Sequence, residues 1–264
     1  MKQLIYQVCV GKPSKLYEHC INSVADYCKE HNIDHIVQRT PILRIKPDVF
    51  ATNRSKESYE KHGGFLPIYE KENAFDMFDD YDQISIVDAD IWIRPGSPNI
   101  FDNLNQHVDF AGVVEREMPI TNQYANKIIN YSRMQYANLH SHKSDFKPNQ
   151  LGFEFYNMGL MVLNKSIKKY FKPGETAHQF ITRPEFKDFI DGQGAWKWST
   201  DQTLLNYWVR KENMNQLHLD WKWNALYKGV KDEYIKDAYF VHFFLKDHLP
   251  ERGENVKELM KHVN

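Results

Sequence analysis

The sequence predicts an α/β fold with a mostly parallel central sheet and helices on both faces. Short apolar segments rich in β-branched residues alternate with segments of helical periodicity, the pattern of βαβ units. The clearest of them, residues 84–87, leads directly into Asp88 and Asp90, as a buried strand does at a sheet edge. The 264 residues contain no repeat, low-complexity tract or linker, so we expect a single domain over residues 1–264.

The N-terminal part predicts two strands separated by a helix. Residues 3–10 are expected to form a buried strand and residues 35–37 a short second one. Between them, Ser14 follows Pro13 as a helix cap, and Asn32 is a helix stop. The residues that recur at the helical period are Tyr17, Cys20, Ile21, Val24, Tyr27 and Cys28.

The middle of the chain combines loops with further elements. Residues 41–67 lack periodicity and are predicted as a long loop, and long loops in compact domains are often functional. Residues 108–114 favour a strand, 122–136 a helix and 140–150 a polar loop; either loop is a candidate lid. A helix face before the acidic strand is indicated by Ala74, Phe75, Phe78 and Tyr81.

The C-terminal half continues the alternation of strands and helices. Residues 153–163 are predicted to be extended, with an interruption at 157–159, where an amide side chain precedes a glycine. The remaining elements are expected to be helices near 175–190 and 200–212, strands at 216–219 and 238–244, and a closing helix at 254–262.

Composition excludes several classes of function. The formal net charge of −1 argues against nucleic acid or an anionic membrane as a partner. The chain contains no apolar stretch long enough for a transmembrane segment. The apolar stretch near its first residue is too short and too polar for a signal peptide. Cys9, Cys20 and Cys28 form neither a zinc motif nor a disulfide framework, so we expect a reducing, cytoplasmic setting.

Asp88 and Asp90 predict a metal site. Open α/β sheets bind ligands beyond the carboxyl ends of their strands, where this pair is expected to lie. Two adjacent carboxylates repel unless a cation or a proton separates them, and their oxygens suit Mg²⁺ or Mn²⁺ held together with substrate phosphates. The alternative is a strand end with two solvated acids.

Three later motifs have both a functional and a structural interpretation. Asn157 and Gly159 suit contact with a sugar hydroxyl or phosphate, although a hairpin bulge is the favoured interpretation from these residues alone. Ser199 or Thr200 can cap a helix, which is a sufficient structural reason for an acid at Asp201. A histidine that closes an apolar strand is commonly a core residue, but near two carboxylates it is a good third metal ligand.

Taken in order along the chain, these motifs resemble the GT-A family of glycosyltransferases, most closely the glycogenin-like and galactosyltransferase-like family 8. The resemblance runs from the first strand to about residue 250. The residues that carry it are Tyr69, Lys71, Asp88, Ala89, Asp90, Asn157, Gly159, Asp201, Gln202, Trp223, Asn224 and His242.

The resemblance implies a Rossmann-like GT-A fold and a site for a nucleotide-sugar donor. Asp90 and His242 would be direct ligands of Mn²⁺ or Mg²⁺, and Asp88 would contact the ribose and, through the metal, the diphosphate. The segment from Val8 to Gly11, with Tyr17, would hold the nucleotide base.

Two lysines and three polar residues complete the implied site. Lys71 would face the donor, and Asn157, Asp201 and Gln202 would surround the transferred sugar as catalytic residues. This sequence departs from the family's late motif, because Leu245 stands where the family has a glycine and His248 where it has a lysine. Lys246 is therefore the candidate for the phosphate-binding lysine.

The implied activity is that of a hexosyltransferase. A hexose would pass from a nucleotide-diphosphate sugar, UDP-glucose or UDP-galactose, to a glycan, lipid-linked sugar or protein, with retention of anomeric configuration. The alternative is a sugar-nucleotide or glycan-binding module without turnover, which the altered late motif favours. A phosphatase is disfavoured because the two aspartates follow a later strand, and a nucleotidyltransferase because no glycine-rich basic loop follows the first strand.

Overall fold

The computed structural model describes residues 1–48, 60–137, 139, 148–192, 194–196 and 200–264. The strands are β1 (Gln3–Val8), β2 (Asp34–Gln38), β3 (Gln83–Val87), β4 (Ile91–Ile93), β5 (Phe110–Val114), β6 (Pro148–Asn149), β7 (Gly152–Phe153), β8 (Tyr156–Asn164), β9 (Gln216–His218), β10 (Ala225–Leu226) and β11 (Phe240–His242). The α-helices are α1 (Lys15–His31), α2 (Asn122–Tyr136), α3 (Ala177–Ile181), α4 (Lys187–Asp191), α5 (Asp201–Lys211), α6 (Asp232–Ile235) and α7 (Val256–Val263). No helix in these ranges has the length and apolar character that crossing a bilayer requires.

Short 3-10 helices connect many of these elements. The longest, Pro67–Asp79, occupies the place of the helix predicted before the acidic strand. The others are Ile100–Asn103, Glu115–Glu117, Lys165–Tyr170, Pro184–Phe186, Gly194–Trp196, Trp221–Asn224, Lys246–His248 and Pro250–Gly253.

A six-stranded mixed sheet forms the centre of the molecule, in the order β2-β1-β3-β8-β5-β9. β1 pairs in parallel with β2 and with β3, and β5 pairs in parallel with β9. β8 runs antiparallel to both of its neighbours, and all its residues are buried. The prediction of a mostly parallel α/β sheet is confirmed, and β8 is the strand that runs against the others.

The antiparallel direction of β8 places its first residues at the carboxyl end of β3. Val87 pairs with Leu160, and the backbone N–H of Asp88 donates to Gly159 O at 2.8 Å. The pairing of β8 with β5 shifts here, because Gly112 is opposite Met161 whereas the next residue, Val113, is opposite Asn157. Residues 158–160 therefore form an irregularity that overlaps the predicted interruption at 157–159, in a strand whose pairing with β3 is regular from Leu160 onward.

Helix α1 follows its sequence signals closely. The Ser14 hydroxyl accepts from the backbone N–H of Tyr17, and Asn32 ends the helix in the left-handed conformation with φ 54°. The predicted apolar face is buried, apart from Tyr17, which is half-buried near the acidic residues.

The prediction of one continuous helix near 175–190 is wrong. The structure has α3 and α4 in its place, separated by the 3-10 turn Pro184–Phe186. Pro184 has no N–H for an α-helical hydrogen bond and disfavours helical geometry at the preceding residue.

Parts of two predicted loops fall outside the described residues. These are 49–59 of the loop 41–67 and 140–147 of the loop 140–150, the two candidate lids. Ser199, one of the two candidate caps, is also outside, whereas the Thr200 hydroxyl accepts from the N–H of Gln202 and caps α5.

Candidate active site

Asp88, Asp90 and His242 converge through the pairing of three strands. The two aspartates occupy the turn between β3 and β4, which is closed by a hydrogen bond from Ile91 N to Asp88 O at 3.1 Å. β11 lies antiparallel to β4, with His242 opposite Ile91. The N–H of Phe243 donates to Asp90 O at 2.9 Å, which fixes the end of β11 against the turn.

The three side chains form a compact group of possible metal ligands. His242 Nε2 lies 3.2 Å from Asp90 Oδ1 and 3.8 Å from Asp88 Oδ2, and the possible ligand atoms of the group are all within 4.8 Å of one another. The buried Oδ1 of Asp90 faces His242 Nε2 and has no other hydrogen-bond partner among the described residues. One imidazole and two carboxylates gathered this closely fit Mn²⁺ or Mg²⁺.

The charges in this group stabilise one another. Burial opposes the charge on Asp90 and on His242, but the Asp90 carboxylate raises the pKa of His242 above its usual range, and His242 in turn lowers the pKa of Asp90. The Asp90 carboxylate, together with burial and the Asp88 carboxylate, also raises the pKa of Tyr17. The Tyr17 hydroxyl therefore keeps its proton beside the acidic group.

Lys71 connects the acidic turn to helix α5. The Lys71 side chain is 6% exposed, and its ammonium lies 2.8 Å from Asp88 Oδ1 and 2.6 Å from Asp201 Oδ2 and donates to Met158 O at 3.0 Å. Burial alone would lower the pKa of Lys71, but Asp201 and Asp88 raise it well above its usual value, so the lysine stays charged. Asp201 is thus held close to Asp88.

Gln202 and Asn157 are turned toward β8. Gln202 Oε1 accepts from the N–H of Met158 at 3.2 Å, and its Nε2 lies 3.4 Å from the Tyr131 hydroxyl. The Asn157 amide is buried and is hydrogen-bonded to other protein groups through both its oxygen and its nitrogen. The catalytic roles that the resemblance implies for Asn157, Asp201 and Gln202 stay predictions.

A cavity of about 270 Å³ opens onto the two aspartates. Five of the residues predicted to bind the donor line it, and they are Val8, Tyr17, Lys71, Asp88 and Lys246. Gly11 is not among the lining residues, although its neighbours Val10 and Lys12 are. The Lys246 ammonium lies 5.4 Å from the centre of the Tyr17 ring, whereas His248 lines a different cavity.

The structure adds lining residues that the sequence analysis did not single out. Lys12 contributes a further positive charge. Pro67 and Ile68, at the start of the 3-10 helix Pro67–Asp79, contribute an apolar part of the cavity wall. Lys12 lies just beyond the end of β1, at the same sheet edge as the aspartates, so its position after a predicted strand was the available signal. Pro67 and Ile68 gave no such signal, because Pro67 ends the predicted loop 41–67 and Ile68 follows it directly.

Comparison with solved structures identifies the fold. A glycosyltransferase involved in glycosylation of the major capsid of PBCV-1 is 13% identical, with a TM-score of 0.54 over 97% of this chain and 100% of that one. The galactosyltransferase LgtC, solved in complex with donor and acceptor sugar analogs, is 10% identical, with a TM-score of 0.55 over 98% of this chain and 95% of that one. The fold is that of the GT-A glycosyltransferases.

This result confirms the GT-A fold expected from the sequence, and LgtC represents family 8 among the similar structures. At these identities the likeness establishes the fold alone. No protein-family model matches the sequence. No curated protein matches it either.

Proposed function

We propose that this protein is a metal-dependent glycosyltransferase that moves a hexose from a UDP-hexose to an acceptor hydroxyl, through one domain spanning residues 1–264. The observation that carries the proposal is the group Asp88, Asp90 and His242, whose two aspartates line the 270 Å³ cavity. The GT-A fold supports it, because ligands of open α/β sheets bind beyond the carboxyl ends of the strands.

The cavity has the charge distribution that a nucleoside diphosphate needs. Lys12 and Lys246 are lining ammonium groups available to phosphate oxygens, since Lys71 is already paired with two carboxylates. Val8 and Tyr17 give the apolar and aromatic wall against which we place the uracil.

Asp88, Asp90 and His242 are the residues that would hold Mn²⁺ or Mg²⁺. When bound, such an ion supplies Lewis-acid stabilisation of the negative charge that develops on the departing diphosphate. The aspartates bring two negative charges close together, and His242 and Lys71 hold them in place.

We propose that transfer proceeds with retention on one face of the sugar. The bond between the anomeric carbon and the β-phosphate oxygen breaks, the acceptor oxygen bonds to that carbon, and the acceptor proton passes to the departing phosphate. Asp201 lies 2.6 Å from an ammonium group, which weakens it as a covalent nucleophile. Asp201 and Gln202 are instead proposed to orient the sugar and stabilise its positive charge.

The acceptor is proposed to be a glycan, a lipid-linked sugar or a protein hydroxyl. LgtC was solved with donor and acceptor sugar analogs, which supports a sugar as acceptor. Cys9, Cys20 and Cys28 are free thiols, which supports the cytoplasmic location that we propose.

The experiment is release of UDP from UDP-glucose and UDP-galactose in excess Mn²⁺, with GDP-sugars as comparison donors. Asp90→Asn should lower turnover by on the order of 10²–10³-fold, the effect of removing a key electrostatic stabiliser. Asp79→Asn, at an exposed carboxylate paired with Lys168, is the matched control and should leave turnover unchanged.

Three other outcomes would each contradict a different part of the proposed function. Wild-type activity in Asp90→Asn would refute the assignment of Asp90 as a ligand. UDP-sugar binding without UDP release, measured by calorimetry on the same samples, would favour the binding module over the enzyme. A product of inverted anomeric configuration by NMR would refute retention.

A further inference from the structure

A relay of buried amide groups leads from the backbone of β8 to the metal-ligand histidine. It begins at Gly159, whose backbone N–H donates to Asn157 Oδ1 at 3.0 Å. A backbone N–H can only donate, so this contact fixes which end of the Asn157 amide is the oxygen. The other end, Nδ2, donates to Glu115 Oε2 at 3.3 Å.

Asn224 continues the relay. Its Nδ2 donates to the same Asn157 Oδ1 at 3.0 Å and also lies 3.3 Å from Asn157 O. Asn224 must therefore present its oxygen on the opposite side, where Oδ1 lies 3.1 Å from His242 Nδ1. An amide oxygen can only accept, so Nδ1 of His242 must carry a proton.

Glu115 anchors the far end of the relay. One of its oxygens accepts from Asn157, and the other accepts from the Tyr124 hydroxyl. Glu115, Asn157, Asn224 and His242 are all buried, which makes a reversed and unsatisfied amide costly. Every polar atom along the path thus has one consistent role as donor or acceptor.

We propose that Asn157 and Asn224 are positioning residues that hold the proton of His242 on Nδ1 and so reserve Nε2 for the metal. Nε2 is the ring nitrogen that faces Asp90 and Asp88. This inference rests on the proposed function, because it assumes that the group binds a divalent cation. It gives Asn157 a role different from the sugar contact that the resemblance implies.

The absence of a side chain at Gly159 also helps to position the ring of His242. A Cβ at this position would lie 2.3 Å from His242 Cε1 and 2.7 Å from Nδ1. The ring therefore rests directly on the backbone of β8, and the amide and the glycine of Asn157-Met158-Gly159 act on the same imidazole.

The test measures Mn²⁺ affinity of the full chain by calorimetry, with no donor present. Asn224→Leu and Asn157→Leu should each weaken binding by about 10–100-fold, the usual effect of removing an outer partner of a metal ligand. The double variant should be no weaker than the more severe single variant, because both substitutions break one relay. Circular dichroism and thermal unfolding establish that each variant is folded.

Asn164→Leu is the matched control. Asn164 is also buried on β8, and its Nδ2 donates to Asn105 O at 2.9 Å, but it lies at the opposite end of the strand. Its loss should lower stability without changing Mn²⁺ affinity. A second readout is the Nδ1–H resonance of His242 in the Mg²⁺-loaded protein, which should be sharp and protected in the wild type and lost to exchange in Asn224→Leu.

The outcomes distinguish this inference from the proposed function. If the wild type binds Mn²⁺ and folded Asn224→Leu binds it equally well, the relay does not position His242 and the inference is overturned. Additive losses in the double variant, or equal losses in Asn164→Leu, would also overturn it. If the wild type binds no divalent cation, the metal-dependent function itself fails, and the inference fails with it.

Discussion

The ammonium of Lys71 lies 2.6 Å from Asp201 Oδ2 and 2.8 Å from Asp88 Oδ1. One buried cation thus connects the turn that carries Asp88 and Asp90 to Asp201, the first residue of helix α5. A pair of carboxylates this close to the third acid, Asp90, would repel strongly without it. Lys71 is accordingly required for the structure of the site, whether or not it also contacts a donor.

Replacing Lys71 by methionine should be strongly destabilising. The substitution leaves Asp201 buried without its cation, which typically costs about 3–5 kcal/mol in the free energy of unfolding. Lys168→Met is the control, because Lys168 and Asp79 form an exposed pair whose attraction is screened by solvent, so its loss should leave stability nearly unchanged. Urea unfolding curves give both values, and equal losses would show that the Lys71 contacts carry no special weight.

Gly159→Ala should weaken metal binding. The added methyl group would lie 2.3 Å from His242 Cε1, so the ring or the strand has to move, at a typical cost of about 1–3 kcal/mol. Mn²⁺ titration should show reduced affinity. Gly112→Ala, whose Cβ would be 3.1 Å from rings of the neighbouring core and not near His242, should retain it; the opposite ranking would contradict the placement of His242 on β8.

Lys246→Ala should raise the KM for a UDP-hexose. A charge-assisted hydrogen bond is worth about 1.5–3 kcal/mol, which corresponds to roughly a tenfold or greater loss of donor affinity. His248→Ala should leave KM unchanged, because His248 lines a separate cavity. If His248→Ala has the larger effect in steady-state kinetics, the phosphate contact lies at His248 and not at Lys246.

His35 should make the protein less stable in mild acid. Burial, assisted by the positive charge of Arg39, lowers the pKa of His35 from 6.5 to about 4, and its Nε2 lies 2.9 Å from Gln7 Oε1. Between pH 6.5 and pH 4 the unfolded chain binds a proton that the folded protein does not, so stability falls as the pH falls.

The size of this effect is measurable by difference. One such group contributes at most about 1.4 kcal/mol per pH unit within the window. Urea unfolding at pH 7 and pH 5 should show a smaller loss for His35→Gln than for the wild type. His107→Gln, at an exposed histidine, should behave as the wild type does; an unchanged slope in His35→Gln would mean that His35 takes up its proton in the folded state too.

Local sequence signals predicted the elements well and their contacts less well. Ser14 and Asn32 bound α1 as expected, because capping depends on residues within one turn of the helix end. Asp88 and Asp90 were placed correctly at a strand end by the apolar run before them.

The role of Asn224 could not be predicted in this way. Its partners Asn157 and His242 are 67 and 18 residues away, and only the packing of β8 against the small sheet brings them together. Pro184 lies within the range predicted as one helix, and the 3-10 turn that it begins separates α3 from α4. Gln202 gave no local reason for its identity, since its contact with the Met158 N–H depends on the direction of β8.

The reversed direction of β8 has a consequence for how the site assembles. Met158 and Gly159 give backbone partners to Lys71, Gln202 and Asp88, three contacts that come from three distant parts of the chain. A slip of this strand by a single residue would break all three together, since each contact uses the N–H or carbonyl of one particular residue of β8. The affinity for a divalent cation should therefore depend on the register of β8. Cation binding should appear only when β8 is fully paired with β3.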